Sequence, residues 1–181
     1  MRIIAGAFRG LALASVGKGD TAAHLRPTTD RVRESLFNVL TKYDPFTDAE
    51  VLDLFAGTGA LGLEALSRGA SHVTFVDDGR AAQKLIAENI TKTRSKDHTT
   101  LLRANATRLP AAKTAATLIF ADPPYGKSLS TPALTSAQSQ GWIAAKALIV
   151  LEDNIPQAPP GFALLDTRKY GDTHVSILRA P

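Results

Sequence analysis

The sequence contains no cysteine and only four histidines, His24, His72, His98 and His174. A chain without cysteine forms no disulfide bond and no thiolate metal site. The histidines stand too far apart in sequence to indicate a local ligand cluster. We therefore expect no bound metal.

Long apolar runs are also lacking. No stretch approaches the ~20 residues that a membrane-spanning helix requires. The first six residues lack the longer apolar core of a signal peptide. These absences argue against a membrane protein, and we expect a soluble, cytoplasmic chain that acts as a monomer.

Positive charge, in contrast, is plentiful near the N-terminus. The 181 residues carry a net charge of +4, and residues 1–45 alone hold seven basic and four acidic side chains. A basic extension on a nearly neutral body is expected for a polyanion partner, although a solvated basic surface explains the charge equally well. With a joint at residues 44–48, the chain divides into an N-terminal extension, 1–45, and a main domain, 46–181.

Strands alternate with helices along the main domain. Buried strands are predicted at 51–55, 73–76, 99–103, 117–121 and 147–151, and helices at 61–68, 80–94 and 133–142. The alternation implies a mostly parallel, doubly wound α/β sheet with ligands at the carboxyl ends of its strands. Segments 162–169 and 174–178 predict a C-terminal antiparallel hairpin, which completes seven strands.

The extension itself is predicted to contain a short hairpin and a helix. Two glycines break the weakly alternating residues 1–14, which indicates the hairpin. The helix begins with Thr29 or Asp30 as its N-cap. Its first turn carries Arg31 and Arg33, and cations there oppose the helix macrodipole. Either a phosphate contact or a salt bridge to a neighbouring carboxylate has to hold these arginines.

A glycine-rich turn follows the first strand of the main domain. Gly57 to Gly62 reads Gly-Thr-Gly-Ala-Leu-Gly, and Asp77 lies 20 residues beyond Gly57 at the end of the second strand. The spacing fits a dinucleotide and equally S-adenosylmethionine, because both present a ribose to an acidic side chain. Asp53 would suit a cationic amino-acid moiety and would be unfavourable beside a pyrophosphate. The alternative is a set of glycines that serve packing alone.

The chemistry is predicted at Asp122-Pro123-Pro124-Tyr125, directly after the fourth strand. Proline lacks an N–H, fixes φ and pushes the preceding residue towards extended conformations, so that the oxygens of Asp122 and Pro123 face outward. Two such acceptors suit the N–H groups of an exocyclic base amine and favour its attacking form. Tyr125 would stack on the base, a contact worth ~1–3 kcal/mol. The alternative is a strand exit with a packed tyrosine.

Together these motifs resemble the Rossmann-like class I S-adenosylmethionine-dependent amino-methyltransferases. The resemblance rests on residues 53–65, Asp-Leu-Phe-Ala-Gly-Thr-Gly-Ala-Leu-Gly-Leu-Glu-Ala, and on 122–125. The chain also resembles one branch of these enzymes, the RsmD-type 16S ribosomal RNA guanine-N2 methyltransferases of bacteria. The residues that carry this second resemblance are 2–6, 8–10, 26–38, 66–70 and 170–173. The N-terminal string is specific to that branch, whereas the core motifs occur in many N-methyltransferases.

The resemblance implies a role for each matching residue. The methionine part of the cofactor would lie against Asp53, Phe55, Gly57, Thr58 and Gly59, its ribose against Asp77 and its adenine edge against Asn105 and Ala106. Asp122 would face both cofactor and base, and together with Pro123 and Tyr125 it would position guanine N2. Arg9, Arg26, Arg31 and Arg33 would contact 16S ribosomal RNA in a small ribosomal subunit or an assembly intermediate. The chain departs from its relatives at Gly79, where they more often carry an aspartate.

Other interpretations stay open at this point. An adenine-N6 methyltransferase acting on DNA or RNA would use the same acceptor edge, and a non-catalytic RNA-binding assembly factor would need only the basic extension. An NAD-linked oxidoreductase fits the glycine spacing but has no use for the Asp122 edge. Trp142 is predicted to belong to the core rather than to stack on a base. Glu152 either faces the crevice or ends its strand in solvent.

Overall fold

A seven-stranded sheet forms the centre of the fold in the computed structural model, which describes residues 1–15, 29–124 and 127–181. The strands are β1 (Glu50–Leu54), β2 (His72–Asp77), β3 (Thr99–Arg103), β4 (Ala116–Ala121), β5 (Ile143–Asp153), β6 (Ala163–Tyr170) and β7 (Thr173–Arg179). The α-helices are α1 (Asp30–Leu40), α2 (Ala60–Ser67), α3 (Arg80–Thr93) and α4 (Ser130–Ser139). None of these helices has the length and apolar character needed to cross a membrane.

The strands follow the order β3-β2-β1-β4-β5-β7-β6. Strands β1 to β5 pair in parallel, whereas β7 pairs antiparallel with both β5 and β6. Parallel neighbours need a crossover connection, and α2, α3 and α4 supply three of them, while a tight turn joins β6 to β7. The predicted Rossmann-like α/β fold, with a mostly parallel seven-stranded sheet and an antiparallel C-terminal hairpin, is confirmed.

Each face of the sheet carries its own apolar layer. On one face, Val51, Phe75 and Phe120 pack with residues of α1, α2 and α3. On the other face, Leu52 and Ile119 pack with α4 and the segment between β3 and β4. Because successive side chains of a strand point to opposite faces, strands covered on both sides read as nearly continuous apolar runs. The core therefore occupies both sides of the sheet.

Two details differ from the sequence-based expectation. The strand predicted from Ala147 begins at Ile143, because β5 contains an irregular segment in which its pairing with β4 shifts register and Lys146 adopts a φ of +60°. In α3, the helical spacing of Ala82, Leu85, Ile86 and Ile90 predicts that all four face inward, but Leu85 is only partly buried, whereas Asn89 is fully buried. The prediction for Trp142 is confirmed, since its buried ring donates from Nε1 to the Pro110 carbonyl at 2.8 Å.

Residues 1–15, which we call the N-terminal strap, fold back on themselves and lie against α2. The N–H of Ile3 donates to the Leu11 carbonyl at 3.0 Å, and an antiparallel bridge joins Arg2 to Ala12. The buried carboxylate of Glu64 accepts the N–H groups of Ile4 at 2.7 Å and Ala5 at 3.1 Å. The strap shares its apolar cluster with the sheet, and the division of the chain at residue 45 stays a prediction.

The helix α1 begins as predicted, since the Thr29 hydroxyl accepts the N–H of Val32. The prediction that Arg33 contacts RNA is wrong for this conformation, because its side chain is completely buried. Its Nη2 donates to the Arg2 carbonyl and to the Asp30 carboxylate, the latter at 3.0 Å. The salt bridge therefore holds this cation in the first turn, and Arg33 ties the strap to α1.

Gly6 lies where the strap comes closest to α2, and it provides a test of this packing. Its φ is +81°, and a Cβ there would lie 1.7 Å from the Ser67 carbonyl oxygen. We expect Gly6→Ala to lower the free energy of unfolding by more than about 2 kcal/mol, measured by urea denaturation. Gly10 is the matched control, since its φ is +82° and a Cβ there meets nothing within 4 Å. Equal losses for the two variants would contradict close packing at Gly6.

Candidate active site

The site lies at the carboxyl ends of β1, β2 and β4. In the paired strands, Leu54 is level with Val76 on one side and with Ala121 on the other. Backbone hydrogen bonds continue beyond the strands, from Ala56 N–H to the Val76 carbonyl at 3.1 Å and from Asp122 N–H to the Leu54 carbonyl at 3.4 Å. The glycine turn, Asp77 and Asp122 therefore emerge side by side where the strand order reverses, which is where open α/β sheets bind their ligands.

The glycine turn holds an unusual backbone conformation. Gly57 and Gly59 have φ values of +58° and +77°, and Phe55 reaches +59° although it carries a bulky side chain. A residue such as Phe55 in the left-handed region is an outlier that costs of order 1–3 kcal/mol and marks functional sites. At Gly62, a Cβ would lie 2.5 Å from the Phe75 ring, so a side chain there would push α2 away from β2. The turn is shaped for close approach of a ligand to its backbone.

Asp77 braces this turn from the end of β2. Its carboxylate accepts the N–H of Gly57 at 3.0 Å and the N–H of Gly79 at 2.8 Å. Partial burial raises the pKa of Asp77, although these two hydrogen bonds oppose the shift. Each oxygen keeps a second lone pair, so the carboxylate can still accept the two hydroxyls of a ribose. Gly79 thus contributes its backbone N–H to the orientation of the Asp77 carboxylate.

Asp53 lies beneath the turn and is buried, with 2% of its surface exposed. Its Oδ2 accepts the N–H of Gly62 at 2.9 Å. Burial raises the pKa of Asp53 to about 8, since the Gly62 hydrogen bond offsets only part of the desolvation and the nearby Asp77 charge adds to it. A cation bound beside Asp53 would restore its carboxylate form. This carboxyl group therefore favours a positively charged ligand.

Asp122 and Pro123 leave β4 at the next position along the same edge. Asp122 is partly exposed and Pro123 is buried. The pKa of Asp122 lies well above its usual range because the carboxyl is desolvated and because the carboxylates of Glu152, Asp53 and Asp153 are near. Tyr125 lies outside the described residues, so its stacking stays a prediction.

Two further buried acidic residues, Glu152 and Asp153, lie near Asp122. Glu152 is buried at the end of β5, rather than ending the strand in solvent, and it is close enough to raise the pKa of Asp122. Asp153 is also buried, and its Oδ2 accepts the Ser130 hydroxyl at 2.6 Å. The signal that could have found them is an acidic pair at the end of a strongly apolar strand.

The residues implied for the adenine edge follow β3. Ala106 is buried among the apolar side chains next to α4. Asn105 is exposed, but its side-chain oxygen accepts the N–H of Thr107 at 2.9 Å and the Thr107 hydroxyl at 2.7 Å. The asparagine side chain thus stabilises a local turn. Its role toward an adenine stays a prediction.

The candidate site at this edge of the sheet is acidic. Asp53, Asp77 and Asp122 surround the glycine turn, and each has a raised pKa. Such a cluster repels a pyrophosphate, which argues against a dinucleotide, and attracts a sulfonium and an ammonium group. The residues therefore fit S-adenosylmethionine. Across residues 1–15, 29–124 and 127–181, no group of three or more side chains is arranged to hold a metal ion.

The remaining candidate arginines are Arg9, Arg26 and Arg31. Arg9, in the tip of the strap, and Arg31, in the first turn of α1, are exposed. Arg26 lies outside the described residues. Arg9 and Arg31 therefore remain available to a polyanion, unlike the buried Arg33.

Comparisons with known proteins agree with this geometry. A family model described as "Conserved hypothetical protein 95" matches residues 1–179. "Ribosomal RNA small subunit methyltransferase D" of Escherichia coli K12 is 38% identical over 161 residues, which are 88% of this chain and 78% of that protein. The protein of the same name from Haemophilus influenzae is 33% identical and covers 94% of this chain, with 89% of its own length matched.

A solved structure extends the match to three dimensions. "Putative methyltransferase yhhF from Escherichia coli" superposes with a TM-score of 0.82 and 31% identity, and the alignment covers 99% of this chain and 97% of the other. The match in sequence and in fold thus extends over almost the full chain. The chain belongs to the RsmD-type methyltransferase family.

Proposed function

We propose that the protein transfers a methyl group from S-adenosylmethionine to the exocyclic N2 of a guanine in 16S ribosomal RNA. The observation that carries the proposal is the position of Asp122 and Pro123, level with the glycine turn and one strand away from it. The relatives named above methylate ribosomal RNA of the small subunit by name, which supports the same polymer as substrate. The cofactor supplies a methyl group on a positively charged sulfur, which becomes a neutral thioether as the methyl leaves.

The residues of the chain act by holding the amine and by receiving its charge. The Asp122 carboxyl and the Pro123 carbonyl each accept one N–H of the amine, which directs the nitrogen lone pair towards the glycine turn. As the nitrogen–carbon bond forms and the carbon–sulfur bond breaks, the nitrogen becomes positive and loses a proton. Asp122, with its raised pKa, is suited to accept this proton and release it to water. Alignment of the two reactants supplies much of the acceleration.

The substrate assignment is tested with small subunits that lack the modification. Incubation with labelled cofactor should place label in 16S ribosomal RNA, and mass spectrometry of the digest should find N2-methylguanosine at one position. Label in N6-methyladenosine, or in DNA, would contradict the guanine assignment. Absence of cofactor binding by titration calorimetry would instead favour a non-catalytic RNA-binding factor.

The same assay tests the role of Asp122. We expect Asp122→Ala to abolish turnover while the dissociation constant for S-adenosylmethionine stays within a few-fold of wild type, because the side chain mainly faces the base. Ser139→Ala is a suitable control, since that exposed hydroxyl at the end of α4 only donates to the Ser136 carbonyl. Normal turnover of Asp122→Ala would remove the proposed mechanism.

The exposed arginines provide a second test. We expect Arg9→Ala and Arg31→Ala to weaken RNA binding and to reduce the salt dependence of the affinity, by about one unit in the log–log slope for each lost phosphate contact. Lys113→Ala is the control, because this lysine lies in the segment between β3 and β4, outside the basic extension. RNA binding is measured by filter retention over a range of salt concentrations. Equal affinities and equal salt dependence for all three variants would contradict the assignment of Arg9 and Arg31 to RNA binding.

Asp53 predicts a pH dependence of cofactor binding. Its pKa is about 8 in the free protein, so binding of a cation drives out its proton and the affinity should rise with pH towards that value. Between about pH 5.5 and 7, where an α-amino group stays charged, the rise can reach about tenfold per pH unit. Calorimetry should find that Asp53→Asn binds S-adenosylmethionine more weakly and with an affinity that does not change with pH. Asp122→Asn should keep the wild-type dependence of the affinity on pH. A pH-independent wild-type affinity would contradict the role of Asp53.

A further inference from the structure

Asn89 is a fully buried polar residue on α3, at the point where the N-terminal strap reaches the glycine turn. Its Oδ1 accepts the N–H of Ala14 at 2.7 Å. Its Nδ2 donates to the Ala14 carbonyl at 3.1 Å and to the Thr58 carbonyl at 2.9 Å. One side-chain amide thus uses both its donors and its acceptor on the backbone of two distant segments.

The segments that Asn89 joins belong to different parts of the proposed mechanism. Thr58 lies between Gly57 and Gly59 in the turn that faces the cofactor, and Ala14 lies in the basic N-terminal part of the chain. A second contact connects the same pieces, since Met1 Sδ lies 3.8 Å from the Thr58 hydroxyl. The strap is therefore linked to the turn at both of its ends, directly through Met1 and indirectly, through Asn89, at Ala14.

Packing alone does not explain an asparagine at this position. A buried amide costs free energy unless every polar atom finds a partner. An aliphatic residue would fill the space but would leave the Ala14 N–H and the Ala14 and Thr58 carbonyls without these hydrogen bonds. Here the full set of hydrogen bonds is present, and each one ends on the strap or on the turn. The hydrogen bonds of the Asn89 side chain thus fix the strap and the turn relative to each other.

We propose that Asn89 is a positioning residue that couples the N-terminal strap to the cofactor turn. A cofactor bound on the turn restrains Thr58, and Asn89 passes this restraint to Ala14. Coupling between two sites is reciprocal, so RNA that orders the strap tightens cofactor binding by the same factor. The inference rests on the proposed function, which assigns the turn to the cofactor and the basic extension to RNA.

A measurement on the unaltered protein tests the coupling directly. Hydrogen exchange at single amides is followed by NMR, with and without saturating S-adenosylhomocysteine. We expect exchange at the Ala14 amide to slow by at least about fivefold. The Lys146 amide, which donates to the Pro181 carbonyl at the opposite edge of the sheet, should not change. An unchanged Ala14 amide in the saturated protein would overturn the proposal.

Variants then separate coupling from stability. Asn89→Ala should weaken S-adenosylmethionine binding by about tenfold and should abolish the effect of a naked 16S ribosomal RNA transcript on that affinity. Asn89→Asp keeps the shape and the acceptor but lacks both donors, so it should behave similarly. Thr93→Ala is the matched control, because Thr93 is buried one turn further along α3 and its hydroxyl bonds only to Asn89 and Ile90 carbonyls and to Ser95.

The outcomes distinguish this inference from the proposed function. Wild-type cofactor affinity and a wild-type RNA effect in folded Asn89→Ala would overturn the coupling. The same losses in Thr93→Ala would also overturn it, because they would follow from stability alone. A wild-type protein that binds cofactor but methylates no ribosomal RNA would refute the proposed function, while exchange at Ala14 would still decide the role of Asn89.

Discussion

Parallel pairing of β1 with both β2 and β4 determines where the candidate site lies. Because the three strands point the same way and their last residues are level, the segments that follow them emerge at one edge. The connections on the two sides of β1 lie on opposite faces of the sheet, so a crevice opens between them. In an antiparallel arrangement, the turn at Gly57 and the carboxylates Asp77 and Asp122 would lie at opposite edges.

Within that crevice, burial of the carboxyl groups and their closeness to one another both raise their pKa values. Asp53 and Asp122 are poorly hydrated, which makes each expensive to ionise, and the nearness of further carboxylates adds to this cost. A cation relieves the cost, whereas an anion increases it. The edge is therefore selective for ligand charge before any specific contact is formed. Glu152 and Asp153 extend this character to the end of β5.

Much of the architecture could be predicted from the sequence because it follows from local patterns. Runs of four or five largely apolar residues identified most of the parallel strands, and the turn at Gly57 followed the first of them as expected. Charge and polarity were less reliable guides. Arg33 was predicted to contact RNA and Asn89 was not identified at all, since nothing nearby in sequence indicates that Arg2 or Ala14 would fold over them. Their burial depends on contacts between segments far apart in the chain.

The dependence of the strap on distant partners has a consequence for how the chain matures. Its anchors lie about sixty residues away on α2, where Glu64 binds Ile4, and seventy-five residues away on α3, where Asn89 binds Ala14. Ile4 and Ala14 thus find these partners only after both helices have been synthesised. Contacts of such sequence separation form late and slow the folding reaction. The glycine turn is linked to the strap through Asn89, so a chain in which the strap has not yet docked has the turn without this support.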